Sequence, residues 1–165
     1  MRNEQNIQFT QTMNETIKSI FARRSVRNFI DKDIPDDIIL TILESANKAP
    51  SAHNQQSWKF IVIKGQKKDE LAKLVSDSSD LFPKPSSTLL RMAARSILSS
   101  PVTIAIINTG DLIKHGTELF KIEKDAAYDF FRTMEIQSSA AAVENMLIAA
   151  TSLGVASVWL GIMYL

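Results

Sequence analysis

The sequence predicts an α/β or α+β domain, because short apolar runs typical of strands alternate with longer segments that have helical spacing. The strand-like runs lie at 59–64, 101–108 and 155–160, and helical patterns occupy much of the chain between them. The chain has 165 residues, of which 45% are hydrophobic, which is enough for one domain with a sizeable core. No internal repeat is visible.

The first part of the chain contains two predicted helices. Residues 1–13 are polar and are expected to form an arm. A helix is expected to begin near Asn14, a favourable N-cap, and to end at an arginine cluster. The second helix is expected to begin around Pro35 and to stop before Pro50. The apolar residues that define the two helices are Ile17, Ile20 and Phe21 in the first, and Ile38, Ile39, Ile42, Leu43 and Ala46 in the second.

The middle of the chain is predicted to contain two strands and two helices. The strand at 59–64 is bounded by Gly65, and the helix at 67–76 is expected to bury Leu71 and Leu74. Residues 76–88 are rich in Ser, Asp and Pro, which predicts a loop. A helix at 89–98 and a strand at 101–108 follow, and the unalternating β-branched pattern of that strand predicts burial on both faces.

The last part of the chain is dominated by one long helical pattern. Residues 109–133 carry no firm pattern, whereas 135–153 predict a helix that ends at Gly154, its C′ residue. Its small residues predict a central helix or one at a subunit interface: Ser138, Ser139, Ala140, Ala141, Ala142, Ala149 and Ala150. The chain stops soon after the strand at 155–160 without a polar cap. We therefore expect that a partner covers this end or that residues beyond 165 are missing.

Composition argues against several functional classes. The net charge is +1, and no basic stripe with interleaved aromatics is present, so neither nucleic acid nor an anionic membrane is an expected partner. The absence of cysteine excludes disulfides and thiolate chemistry, and the two histidines, His53 and His115, have no recognisable metal-ligand spacing. The polar start lacks the apolar core of a signal peptide, and no run has the length of a membrane span. A cytoplasmic protein is expected.

Three short motifs could bind a planar, anionic ligand. Arg23, Arg24, Ser25 and Arg27 could hold phosphate oxygens, because guanidinium groups bind them in a bidentate manner, or they could simply complement the end of a helix. Residues 50–56, Pro-Ser-Ala-His-Asn-Gln-Gln, could present amides to a ligand or be an ordinary loop. Residues 159–161, Trp-Leu-Gly, could bring a backbone amide against a flat ligand or be a plain strand end.

A hydrolase is a poor interpretation of the same residues. No acid stands at a spacing that would orient His53 as a general base, and Ser51 lacks a Gly-x-Ser-x-Gly setting.

In order and spacing, these motifs resemble the FMN-dependent nitroreductase family. The resemblance rests on Arg-Arg-Ser-x-Arg-x-Phe, a helix, Ala-Pro-Ser-x-x-Asn-x-Gln-x-Trp-x-Phe-Ile-Val, and Leu-Gly-Val-Ala-Ser-Val-Trp-Leu-Gly, and covers about residues 14–64 and 89–163. It implies an α+β, three-layer homodimer in which helices flank a central, mostly antiparallel sheet, with FMN at the subunit interface. It also implies that residues 14–165 form this FMN-binding domain without the strand, tail and late basic residues of the family's C-terminal element.

The resemblance also implies roles for individual residues. Arg23 and Ser25 correspond to phosphate contacts, Arg24 to a contact beside them, and Arg27 to a cation near the N1–O2 edge of the flavin. The loop that the partner subunit contributes corresponds to Pro50, Ser51, Ala52, Asn54 and Gln56. Arg95 corresponds loosely to a second basic residue by the pyrimidine edge, and Trp159, Leu160 and Gly161 to the segment near the reactive face and N5. Ser57 stands where the family more often has proline, and neither a catalytic side chain nor a metal is implied.

The activity implied by the resemblance is that of an NAD(P)H-dependent FMN oxidoreductase. Such enzymes reduce nitroaromatic, quinone or similar small-molecule acceptors by ping-pong hydride transfer. A shortened family member that acts as a flavin- or ligand-binding module with little activity is the alternative. A related flavin chemistry, reductive dehalogenation or flavin fragmentation, is the third possibility.

Overall fold

The computed structural model describes residues 13–120 and 123–161, so residues 1–12 of the expected arm lie outside the described part. The helices are α1 Glu15–Ala22, α2 Asp36–Asn47, α3 Gly65–Ser78, α4 Ser86–Ser99, α5 Asp111–Phe120 and α6 Lys124–Ser152. The strands are β1 Trp58–Lys64 and β2 Val102–Asn108. Short 3₁₀ turns at Ala52–Asn54 and Ser79–Leu81 complete the described regular structure.

The two strands pair antiparallel and pack one face onto the helices. Trp58 lies opposite Asn108 and Lys64 opposite Val102. One core cluster joins this face to α2 and α6 through Trp58, Phe60, Ile104, Ile106, Ile42, Ala46, Ala142, Met146 and Ala150. The expected burial of β2 on both faces is wrong in this chain, because no residue of β2 is fully buried and Ile107 is 44% exposed.

The expected third strand at 155–160 is also wrong for the described residues. The β-type pairing of this segment is an isolated parallel bridge between Ser25 and Ser157, and its described residues form no strand. The direction of the segment is set by the end of α6, where Gly154 adopts a φ of 73°. Val155 N–H donates to Ala150 O at 2.8 Å and Gly154 N–H to Thr151 O at 3.1 Å, the pattern of a Schellman motif. The prediction of Gly154 as the C′ residue is therefore confirmed.

Helix α6 is the central helix of the described chain, as its small residues predict. It packs against α1, α2, α5 and β2. It begins at Lys124, well before the expected start at 135, because the Glu123 side chain caps it by accepting from Ala126 N–H. Close packing is visible where Ala142 and Ala150 are buried against α2.

The segment at 109–120, which sequence patterns do not assign, forms α5 because a distant carboxylate caps it. Glu135 of α6 is buried, and its Oε1 accepts from Gly110 N–H at 3.0 Å and Leu112 N–H at 3.4 Å. Those amides lie at the helix N-terminus, where a negative charge is favourable.

Helices α3 and α4 form a second cluster and correct two expectations. The predicted loop at 76–88 is too long, because α3 runs to Ser78 and α4 begins at Ser86. Leu74 is 63% exposed, whereas Ala72 and Val75 are buried against α4. The buried Lys68 ammonium donates to Leu98 O at 2.9 Å and Ile97 O at 3.3 Å, so it satisfies carbonyls at the end of α4.

An ion pair ties the start of α2 to the end of β1. Lys64 Nζ lies 2.8 Å from Asp36 Oδ1 and donates more weakly to Ile34 O at 3.4 Å. The hydrogen bond from Lys64 lowers the pKa of Asp36 below its ordinary value. The stabilising contribution of Asp36 is therefore present above pH 3.8, the ordinary value, and is lost as the pH falls through the lowered pKa.

Among the described residues, none of the helices has the length and apolar character needed to cross a membrane. Within the same part of the chain, no cluster of three or more His, Cys, Asp or Glu side chains is arranged to hold a metal ion.

Candidate functional site

The arginine motif follows α1 and is fastened on two sides. Val26 N–H donates to Ser157 O at 3.0 Å, beside the bridge between Ser25 and Ser157. On the other side, the buried Ser96 hydroxyl of α4 donates to Arg27 O at 3.1 Å. These contacts bring the first motif, the 157–161 segment and α4 together from three distant parts of the chain.

The three arginines of the motif have different surroundings. Arg24 donates its Nη1 to Phe21 O at 2.7 Å and Arg23 O at 2.8 Å, so its guanidinium is engaged at the end of α1. Arg27 is exposed, with one long bond from Nη1 to Ser25 O at 3.4 Å. Arg23 is half-buried, and its Nε lies 4.0 Å from Glu144 Oε1 of α6. Arg23 and Arg27 are therefore the cations of the motif that are not tied to the helix end.

The loop at 50–56 combines backbone strain with firm anchoring. His53, Asn54 and Gln56 have φ values of 54°, 52° and 49°, which non-glycine residues rarely adopt. Such conformations persist where the surroundings enforce them, and they cluster at functional sites. The internal bonds run from Gln56 N–H to Ser51 Oγ and from Asn54 N–H to Ser51 O, each at 3.0 Å.

The same loop is attached to α6 at Ala52. Ala52 N–H donates to the Ser138 hydroxyl at 3.0 Å, and Ala52 packs against a third cluster formed by Leu112, Ala127 and Phe131. Gln56 Nε2 reaches Asn47 O at 3.4 Å, while Pro50 and Asn54 are exposed. The loop thus presents polar groups outward from a fixed base.

Within one chain, the loop and the arginine motif contact different parts of α6. Ser138 anchors the loop, and Glu144 faces Arg23. Six residues of α-helix correspond to about 9 Å along the axis and about 120° around it. The arginine motif therefore lies beside residues 157–161. The 50–56 loop of the same chain is attached to α6 at a different position, away from both of them.

The remaining predicted site residues lie on the arginine side. Arg95 is exposed on α4, next to the Ser96 that holds Arg27. Leu160 packs against the α3–α4 cluster, and Trp159 is 52% exposed. A Cβ built on Gly161 would meet no atom of the described residues within 4 Å, leaving aside its two chain neighbours.

Comparison with known proteins identifies the family. The model of the Nitroreductase family matches residues 20–165. The chain belongs to the nitroreductase family.

Two archaeal nitroreductase relatives are similar over most of this chain. A protein of Archaeoglobus fulgidus named as an NADH dehydrogenase/NAD(P)H nitroreductase is 33% identical over 153 residues, which are 91% of this chain and 69% of the relative. A protein of the same name from Methanothermobacter thermautotrophicus is 26% identical over 148 residues, 90% of this chain and 61% of the relative. The chain thus spans about two thirds of the length of these relatives.

Solved nitroreductase structures share the fold. A structure from Desulfovibrio desulfuricans in complex with FMN has a TM-score of 0.65 and 26% identity, covering 91% of this chain and 70% of that one. A nitroreductase with bound FMN from Desulfitobacterium hafniense has a TM-score of 0.66 and 24% identity, covering 91% and 71%. The expected α+β, nitroreductase-like fold is confirmed.

Sequence patterns give no role at the candidate site to four residues that position it: Ser96, Ser138, Glu144 and Ser157. Ser138 and Ala52 are separated by 86 positions, and Ser96 and Arg27 by 69, so no local spacing reveals the pairs. The small residues of α6 are the one available signal, and they indicate close packing rather than a hydrogen bond to a particular loop.

Proposed function

We propose that this chain is an FMN-dependent NAD(P)H oxidoreductase that reduces nitroaromatic, quinone or similar acceptors by ping-pong hydride transfer. The observation that carries the proposal is the fastening of 25–27 between Ser157 and Ser96. It fixes the backbone that carries Arg27 beside the 157–161 segment, and Arg23 lies four residues earlier, so two cations are available for an anionic, planar cofactor. The FMN-bound relatives, at 24% and 26% identity, support the choice of cofactor.

The residues present fit FMN chemically. Arg23 and Arg27 supply guanidinium donors, and the exposed Ser25 supplies a hydroxyl in the same segment. Phosphate oxygens are favourable partners for such groups. Gly161 has no Cβ, and the described residues leave the position of that atom free, which suits close approach of a flat ring to the backbone. We assign the phosphate side to Arg23 and Ser25, with Arg24 beside them, and the ring side to Arg27, Arg95, Trp159, Leu160 and Gly161.

The proposed mechanism needs no catalytic side chain. When bound, FMN would supply the redox chemistry between NAD(P)H and the acceptor. The cation of Arg27 stabilises negative charge in its vicinity by direct electrostatics. Backbone amides of the 159–161 segment offer hydrogen-bond donors that can orient a ring. The role of the protein is thus to bind and orient FMN and to tune its charge environment, and none of its side chains reacts.

A homodimer would complete the site. The loop with Pro50, Ser51, Ala52, Asn54 and Gln56 is anchored at a different part of α6 from Arg23, so it is suited to serve the site of a second copy. The apolar face of α1 supports association, because Ile20 is 43% and Phe21 62% exposed in the single chain. We propose that FMN lies where the loop of one subunit approaches the arginine motif of the other.

One other function retains specific support. Reductive dehalogenation agrees with 35% identity over 69 residues to the iodotyrosine deiodinase of Hydra vulgaris, although the match covers 41% of this chain and 25% of that protein. The oxidoreductase proposal rests on a longer match.

The visible absorbance spectrum of the purified protein tests the proposal. FMN is added, unbound flavin is removed, and NADH or NADPH is then added without oxygen. We expect flavin bands that bleach with one reductant and return when a quinone or nitroaromatic acceptor is added. Flavin bands that neither reductant bleaches would favour the binding module, and protein that retains no FMN would overturn the proposed cofactor.

A further inference from the structure

Glu144 places a carboxylate beside one of the two proposed phosphate contacts. The residue lies on α6, and its Oε1 is 4.0 Å from Nε of Arg23. The side chain of Glu144 is 50% exposed and that of Arg23 is 34% exposed, so both can reach a ligand in solvent. The separation is longer than a hydrogen bond, and the guanidinium is therefore attracted by the carboxylate without being locked to it.

Glu144 is the acidic residue that approaches the arginine motif, whose other arginines contact carbonyl oxygens. Arg24 is engaged with carbonyl oxygens at the end of α1, and Arg27 contacts the carbonyl of Ser25. Among the ion pairs of the described residues, Glu144 is the acid that approaches the motif. A phosphate that binds Arg23 therefore approaches a guanidinium that already has a carboxylate 4.0 Å from its Nε, and the two negative charges repel each other.

We propose that Glu144 is a positioning residue that attracts Arg23 toward α6 and lowers the affinity of the site for phosphate-bearing flavin. The inference rests on the proposed function, since it concerns the phosphate of FMN. Its consequence is selectivity: Glu144 opposes binding of FMN but not of riboflavin, which lacks the phosphate. The carboxylate would also make cofactor retention sensitive to ionic strength, because the charges are partly exposed.

The substitution Glu144→Gln tests this inference, because it keeps the shape and removes the charge. The wild-type chain and the Glu144→Gln chain are each titrated with FMN and with riboflavin, and binding is followed by quenching of flavin fluorescence. We expect FMN to bind about threefold to tenfold more tightly at low salt, in the range of a partly exposed charge contact. Riboflavin affinity stays unchanged, and the gain for FMN shrinks in high salt.

Two variants separate the local contact from other effects. Glu118→Gln removes an exposed charge from α5, away from the motif, and should leave the affinity for FMN unchanged. In an Arg23→Gln background, Glu144→Gln should give a smaller gain, because the shared guanidinium is absent. The melting temperature of Glu144→Gln should change little, since a half-exposed pair at 4.0 Å contributes little to stability.

The outcomes distinguish this inference from the proposed function. Equal tightening for FMN and riboflavin, or an unchanged or weaker affinity for FMN, would overturn the role of Glu144 and leave the cofactor assignment intact. If neither the wild-type protein nor Glu144→Gln binds FMN or riboflavin, the proposed function and this inference are both overturned.

Discussion

Arg27 differs from an ordinary surface arginine because its backbone is fixed while its guanidinium is exposed. Its carbonyl accepts the hydrogen bond from Ser96, and the preceding Val26 N–H donates to Ser157. The side chain therefore starts from a defined point beside the 157–161 segment. A cation whose side chain extends from a fixed backbone has fewer positions open to it near a bound ring than one on a mobile loop, which favours stabilisation of charge there.

Substitution of Arg27 by alanine should weaken FMN binding about tenfold and slow flavin reduction by NAD(P)H, because the charge near the ring is removed. Binding is measured by fluorescence quenching, and reduction by stopped-flow absorbance. Lys73→Ala, which removes an exposed cation from α3, is the matched control and should behave as wild type. Full flavin occupancy together with unchanged reduction kinetics in Arg27→Ala would contradict the assignment.

At the scale of elements, sequence patterns locate helix ends that depend on neighbouring residues. Asn14 caps α1 by accepting from Ile17 N–H, and Gly154 ends α6, both as predicted. Patterns fail where the decisive partner is distant, as for α5, whose start is capped by Glu135 from the next helix. They also fail for Leu74, because the face of α3 that is buried depends on where α4 packs.

The contact between α5 and α6 leaves no room for a side chain at Gly116. A Cβ there would overlap the ring of Phe131, which is 1% exposed. Gly116→Ala should therefore lower the free energy of unfolding by about 1–2 kcal/mol, because overpacking outweighs a gain in helix propensity of about 1 kcal/mol. Denaturant titration measures the change.

The neighbouring residues offer controls for this substitution. Lys114→Ala, at an exposed position of α5, should change the stability little. Adding Phe131→Leu to Gly116→Ala should remove the steric part, so the two changes should be clearly non-additive. If the two changes in the free energy of unfolding add, or if Gly116→Ala is more stable than wild type, α5 and α6 can move apart without loss of stability.

At the scale of the whole molecule, the fold could be predicted from sequence more fully than the site. The three motifs and the central α6 agree with the confirmed nitroreductase fold, because motif order and helix periodicity are local properties of the chain. The expected third strand and the burial of β2 depend on pairing partners that no local pattern specifies. The site follows the same rule, because its motif residues are visible in sequence whereas Ser96, Ser138 and Glu144 are not.

The proposed dimeric site can be tested by combining two defective subunits. Arg27→Ala alters the arginine side, and Asn54→Ala alters the exposed tip of the loop. The two chains are co-expressed with different affinity tags, and the mixed dimer is purified through both. If the loop serves the partner's site, one site of the mixed dimer has both residues intact and the other lacks both. We therefore expect about one tight FMN site per mixed dimer, against weakened binding in each parent homodimer.

Sedimentation of the unmodified chain supplies the necessary control, since the design requires a dimer at the concentrations used. Mixed dimers without a tight site would mean that the loop and the arginines act within one subunit, contrary to their separate attachment on α6 at Ser138 and Glu144. A protein that remains monomeric while it binds FMN tightly would exclude the shared site altogether. Recovery of tight binding only in the mixed dimer would establish that each cofactor is held by two copies of the chain.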